Sequence, residues 1–310
     1  MKSDISEFSY GFALTNELVG WVNLRAAPIF PSLIEEGKPG GGYDVKLDAP
    51  GIPLYIQFKR SDYMTRRSAK EYKAVRDVGG RLRIPYYRFP VTPASVSDQH
   101  EMLLDLDDGT NLVFYAAPRF YKPEEINAAW ASSEVAHRSI FVTPRAIGTL
   151  DDMPHNIAFD QFSTWRCSEP ENITALSSSD MNGKLLEALE SEKAPLKDRL
   201  PSIVEDLRRA ESRGRQTAEA QRRLGEEKRR KERASLGEDD QPVSDSLSGQ
   251  FLEDQVADED KPSSELPSVS QPVQIRAPKE LDDSAETLRE AADIAARVFD
   301  VQFMIVQTSD

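Results

Sequence analysis

Three side chains frame the chemistry that this chain could do: Asp44, Gln57 and Lys59. Asp44 and Lys46 sit two residues apart in Gly41-Gly42-Tyr43-Asp44-Val45-Lys46-Leu47, and Gln57 and Lys59 sit two residues apart in Leu54-Tyr55-Ile56-Gln57-Phe58-Lys59. Strand side chains alternate between faces, so each pair shares one face of its strand. The connection Asp48-Ala49-Pro50-Gly51-Ile52-Pro53 has the Pro and Gly content of a hairpin turn. An acidic oxygen, an amide oxygen and an ammonium would then meet on one side of a hairpin. That set can hold a divalent cation against a phosphodiester, because Mg²⁺ takes oxygen ligands and a positive group can steady the charge that develops at phosphorus.

The elements that must position these groups follow from hydrophobic spacing. Ser9–Leu24 predicts a helix, with Phe8, Phe12, Leu18, Val19 and Val22 at near-helical intervals and Glu17 upon it. Ala26–Gly42 is read as a loop through Pro28, Pro31, Pro39 and Gly40-Gly41-Gly42. The triple glycine is no phosphate loop, since no Gly-Lys-Ser/Thr follows; it lets the chain turn beside the site. A helix is expected from about Thr65 to Val78, ending at Gly79-Gly80, then a strand over Leu82–Phe89. Further strands are expected at Leu112–Ala116, Ser139–Val142 and Asn156–Phe159, with helices before and between them. The pattern is α/β: a mixed sheet flanked by helices.

Asp44, twelve intervening residues and Gln57-x-Lys59 resemble the PD-(D/E)xK nuclease superfamily, whose fold is restriction-endonuclease-like. The resemblance covers residues 1 to about 130. It implies that Asp44, Gln57 and Lys59 are catalytic, that Glu17 supplies the carboxylate of the preceding helix, and that Asp44, Gln57 and Glu17 hold Mg²⁺ or Mn²⁺. Two residues depart from the family pattern: Tyr43 stands where Pro precedes the Asp, and Gln57 stands for Glu or Asp, which removes one negative charge from the metal.

Charge placement bears on the substrate. The whole chain carries −14, yet Lys59–Arg88 holds ten basic residues against three acids. Arg60, Arg66, Arg67, Lys70 and Lys73 would grip a phosphate backbone, and phosphate contacts position a duplex without reading its bases. The expected substrate is DNA, with RNA as the alternative, and the resemblance implies a setting of prokaryotic restriction or phage defence. A protein partner would supply ATP hydrolysis or target sensing. The rival reading is a nuclease fold without catalysis that only binds nucleic acid or a partner protein.

Other residues are read as structural. His100, His137 and His155 lack metal-ligand spacing, Trp21, Trp130 and Trp165 are expected as core anchors, and Cys167, the single cysteine, is expected to be an inert thiol. One cysteine excludes an internal disulfide, no apolar run is long enough for a membrane span, and Met1–Glu7 lacks an apolar signal core. The chain is therefore read as cytoplasmic. Its organisation is read as a nuclease-like domain over 1–180, a charged helical segment over 181–235, an acidic disordered linker over 236–280, and a helix-strand pair over 281–310 docking on the main domain. The linker is a candidate shield for the basic surface.

Overall fold

A computed structural model describes residues 1–20, 24–29, 45–109, 111–236 and 279–308. Asp44 and Trp21 lie outside the described residues, as do nearly all of the predicted loop and most of the acidic linker. The chain divides into a principal unit, Met1–Gly225 with Ala277–Asp310, and a small unit, Glu226–Arg276. The second contains the last residues of a long helix, with an ion pair between Lys231 and Glu227 at 2.6 Å.

Two five-stranded sheets build the principal unit. The mixed sheet contains β1 (Leu24–Ile29), β2 (Ile52–Phe58), β5 (Leu112–Pro118), β6 (Ser139–Val142) and β10 (Gln302–Thr308), in the order β1-β10-β2-β5-β6. The antiparallel sheet contains β3 (Asp62–Met64), β4 (Tyr86–Val91), β7 (His155–Phe159), β8 (Thr164–Arg166) and β9 (Glu171–Ile173), in sequence order. The helices are α1 (Glu7–Val19), α2 (Lys70–Asp77), α3 (Gln99–Leu106), α4 (Pro123–Ala131), α5 (Pro144–Ile147), α6 (Ser178–Ser191), α7 (Leu196–Leu236) and α8 (Lys279–Arg297).

Strand β2 is covered on both faces and is apolar on each. Leu54 and Ile56 face Tyr10 and Leu14 of α1 and Met181 and Leu185 of α6. Tyr55 faces the other way, into a larger core with Met102 and Leu103 of α3, Leu200 and Leu207 of α7, and Ala295 of α8. Strands β2 and β5 run parallel, as strands joined through intervening helix do. Gly11 lets α1 lie directly on the sheet: a Cβ there would come within 2.6 Å of the Phe58 ring.

The predicted hairpin is not what borders β2. Its neighbours are β5 on one side and β10 on the other, with β10 antiparallel and Gln302 opposite Ile56. Val45, Lys46 and Leu47 form no strand; Lys46 instead exchanges 2.9 Å hydrogen bonds with the side chain of Gln307 on β10. Phe303-Met304-Ile305-Val306 is apolar on both faces, which suits a strand covered on both sides. In that position Val45-Lys46-Leu47 would bury a cation, whereas Lys46 is exposed where it stands.

Helix α7 is charged over most of its length, and the described side chains of residues 208–233 are mainly exposed. Its first turns bury Leu196, Leu200, Ile203, Val204 and Leu207, and beyond them Ala210, Gly214 and Ala218 continue a narrow buried stripe. Residue 180 falls within α6, so the packed core runs past the boundary read from composition. Trp130 is no core anchor. It is 49% exposed and meets Phe12 edge to face, whereas Trp165 is half-buried and donates to the Arg81 carbonyl. Among the described residues, no helix is long and apolar enough to cross a membrane.

Candidate functional site

The site lies at the C-terminal end of β2. Alternation puts Gln57 on the Tyr55 face, and Lys59, one residue past the strand, is held in line by its N–H donating to the Ala116 carbonyl at 2.8 Å. Both side chains are buried, at 4% and 8% exposure. The side-chain oxygen of Gln57 accepts from Nε2 of Gln99, at the first turn of α3, at 2.9 Å. The same nitrogen donates to the Phe299 carbonyl at 2.9 Å and to Asp300 Oδ2 at 3.4 Å. Three oxygens thus converge on one amide nitrogen, which fixes the orientation of the Gln99 amide.

Among the described residues, the Lys59 ammonium makes no hydrogen bond or ion pair, and Nζ lies 5.8 Å from the centre of the Tyr115 ring. Burial pushes its pKa below the ordinary lysine value, and the carboxylates of Glu7 and Asp300 oppose that effect. Behind Tyr115, the ring hydroxyl bonds Nδ1 of His100 at 3.0 Å, and Nε2 of His100 bonds the Gly148 carbonyl at 2.9 Å. A carbonyl only accepts, so Nε2 carries the proton and Nδ1 accepts from Tyr115. Burial lowers the His100 value to about 4, leaving it neutral at physiological pH.

Beside Gln57 opens a pocket of about 430 Å³, lined by Glu7, Gly11, Gln57, Phe58, Asp300 and Gln302 among others. Its two carboxylates come from opposite ends of the chain. Glu7 opens α1, whose N-cap is Ser6, and accepts from the Arg60 N–H at 3.4 Å. Asp300 sits between α8 and β10.

Of the predicted site residues, Gln57 and Lys59 lie buried at the same strand end, with Gln57 lining the pocket, and Asp44 lies outside the described residues. Glu17 goes elsewhere: its two carboxylate oxygens accept the backbone N–H groups of Val135 and Ala136 at 2.8 and 2.7 Å, tying α1 to the turn after α4. Of the predicted backbone grip, Arg60, Arg66, Arg67, Lys70 and Lys73 are all exposed, on the β2–β3 connection, the segment after β3 and α2. Arg88, from the same basic run, is instead paired with Glu71 and Asp62. His100 and His155 are buried with both ring nitrogens bonded, His137 is exposed, and burial pushes the Cys167 thiol up to about 12.

Sequence reasoning missed Glu7, Gln99 and Asp300. The Ser6 cap and the run Phe299-Asp300-Val301 are visible in the chain, but nothing local announces that they meet at Gln57. The donors gathered here are hard oxygens, two carboxylates and an amide carbonyl, and their chemistry fits a small divalent cation. Among the described residues, no group of three or more His, Cys, Asp or Glu side chains could hold a metal ion. Compared with known proteins, the chain matches no family model, no curated protein and no solved structure.

Proposed function

We propose that this protein is a metal-dependent nuclease of the restriction-endonuclease-like fold, hydrolysing phosphodiester bonds in DNA. The observation that carries this reading is that Gln57 and Lys59, two residues apart, are both buried at one strand end, Lys59 with no hydrogen bond or ion pair among the described residues and Gln57 lining a pocket edged by Glu7 and Asp300. The parallel β2–β5 pair belongs to a mixed sheet flanked by helices, the fold class expected from the sequence. The exposed Arg66, Arg67, Lys70 and Lys73 supply phosphate contacts.

A bound Mg²⁺ would polarise the scissile phosphate and acidify its water, and Gln57, Glu7 and Asp300, with Asp44, are the residues to hold it. Lys59 does the protein's own part. Its ammonium orients the attacking water and steadies the negative charge that develops on the phosphorane oxygens as the new P–O bond forms and the P–O bond to the leaving oxygen breaks. Solvent takes the water's proton and supplies the leaving oxygen's. The test is plasmid cleavage with Mg²⁺ or Mn²⁺, comparing wild type with Asp44→Ala, Gln57→Ala and Lys59→Ala. Cleavage that survives Lys59→Ala at the wild-type rate overturns the assignment.

The Gln57–Gln99 bond favours a second reading, because it occupies the one amide oxygen that would bind the cation. In that reading the fold binds nucleic acid or a partner without cutting. Gln57→Glu separates the two: a silent site gains Mg²⁺-dependent cleavage, and an active one changes its metal preference.

A further inference from the structure

We infer that Asp300 is the carboxylate that completes the site at Gln57 and Lys59, the part the sequence assigns to Glu17. The inference rests on the nuclease reading of that site.

Four observations meet on Asp300. Asp300 stands two residues before Gln302, which pairs with Ile56, so it lies at the strand end that carries Gln57 and Lys59. It lines the same pocket as Gln57. One Gln99 nitrogen bonds both Gln57 and Asp300, together with the carbonyl of Phe299. And its charge acts on Lys59, countering the burial that lowers the lysine.

The backbone adds an argument about why an aspartate is there. Asp300 has φ 52°, in the left-handed region that glycine, asparagine and aspartate enter most readily. It also follows the C-terminal end of α8, where carbonyls present partial negative charge and an anion is disfavoured. Glycine or asparagine would meet the same backbone demand without that charge, and the carboxylate of Asp300 stands instead at a pocket edge. Glu17 shows the contrast, since both its oxygens are spent on backbone N–H groups.

The test uses the full-length protein and two readouts: Mn²⁺ binding by calorimetry, and plasmid cleavage. Asp300→Asn keeps the shape and removes the charge, so it should lose about tenfold or more in Mn²⁺ affinity, and cleavage with it. Asp300→Gly should raise the melting temperature and still bind Mn²⁺ poorly, which separates lost binding from misfolding. Glu17→Gln should lower the melting temperature and bind Mn²⁺ like wild type. If Asp300→Asn binds Mn²⁺ and cuts as wild type does, the inference falls and the nuclease reading stands. If wild type binds Mn²⁺ through Asp300 but cuts nothing, the nuclease reading falls and the site stands. A wild type that binds no Mn²⁺ overturns the inference itself.

Discussion

Gln99 holds Gln57: the amide nitrogen of one lies 2.9 Å from the amide oxygen of the other, across the gap between α3 and the end of β2. Because the same nitrogen also reaches Phe299 and Asp300, a single side chain gathers three separate stretches of chain. Gln99→Leu leaves the Gln57 oxygen and the Phe299 carbonyl without this donor, an expected loss of about 1–3 kcal/mol for each group stranded from water. Urea unfolding of Gln99→Leu, Gln57→Leu and the double variant measures it. Non-additivity of roughly 0.5–3 kcal/mol is expected, and strict additivity would show that the pair is uncoupled.

Lys59 makes stability depend on alkaline pH. The unfolded chain keeps the lysine proton up to about 10.5, whereas the folded protein gives it up earlier. Fewer protons bound in the folded state means that stability rises with pH across that window and falls as pH drops back through it. Each pH unit of displacement is worth about 1.4 kcal/mol. Lys59→Met, which removes the buried amine and keeps the stem, should be more stable than wild type at pH 7. The gap should narrow toward pH 10.5. Denaturation midpoints that differ by a constant amount at every pH would contradict this.

His100 acts at the acid end. Its value is lowered from 6.5 to about 4, so the unfolded chain binds a proton in that interval and the folded protein does not. Its contribution is complete above pH 6.5 and is lost as pH falls toward 4, by roughly 3 kcal/mol. His100→Gln, which can still donate to the Gly148 carbonyl, should flatten this part of the stability profile. An unchanged acid limb in the variant would show that other groups cause it.

Two helix glycines should respond oppositely to alanine. A Cβ on Gly214 of α7 would come within 2.4 Å of the Met102 backbone in α3, and backbone cannot step aside as a side-chain tip can. Gly214→Ala should therefore cost about 1–3 kcal/mol as the two helices separate. Gly183 of α6 has nothing within 4 Å of the same added atom, and Gly183→Ala should stabilise by about 0.5–1 kcal/mol. Thermal melts of the two single variants give the signs directly.

What could be read from the chain follows how locally each feature is encoded. Alternation in Leu54–Lys59 gave the strand and the shared face of Gln57 and Lys59, and the apolar runs at 112–116 and 139–142 gave two more strands of the same sheet, β5 and β6. The amphipathic stretch after residue 284 gave the C-terminal helix and the strand after it. The second sheet was not legible as a separate body, because β3, β8 and β9 are three residues each, too short for a period to show. The buried stripe of α7 was hidden because Ala210, Gly214 and Ala218 are small and their neighbours are charged. The site was half legible. Gln57 and Lys59 are close in sequence, but Asp300 reaches them only through pairing of β10 with β2, and no local pattern encodes a partner more than two hundred residues away.

Strand β10 lies between β1 and β2, although a translating ribosome makes it roughly 250 residues after them. Nascent chains of this protein therefore carry two open sheet edges for most of their synthesis, and such edges recruit other strands. A product truncated before β10 would lack both the strand that joins β1 to β2 and the Asp300 edge of the pocket.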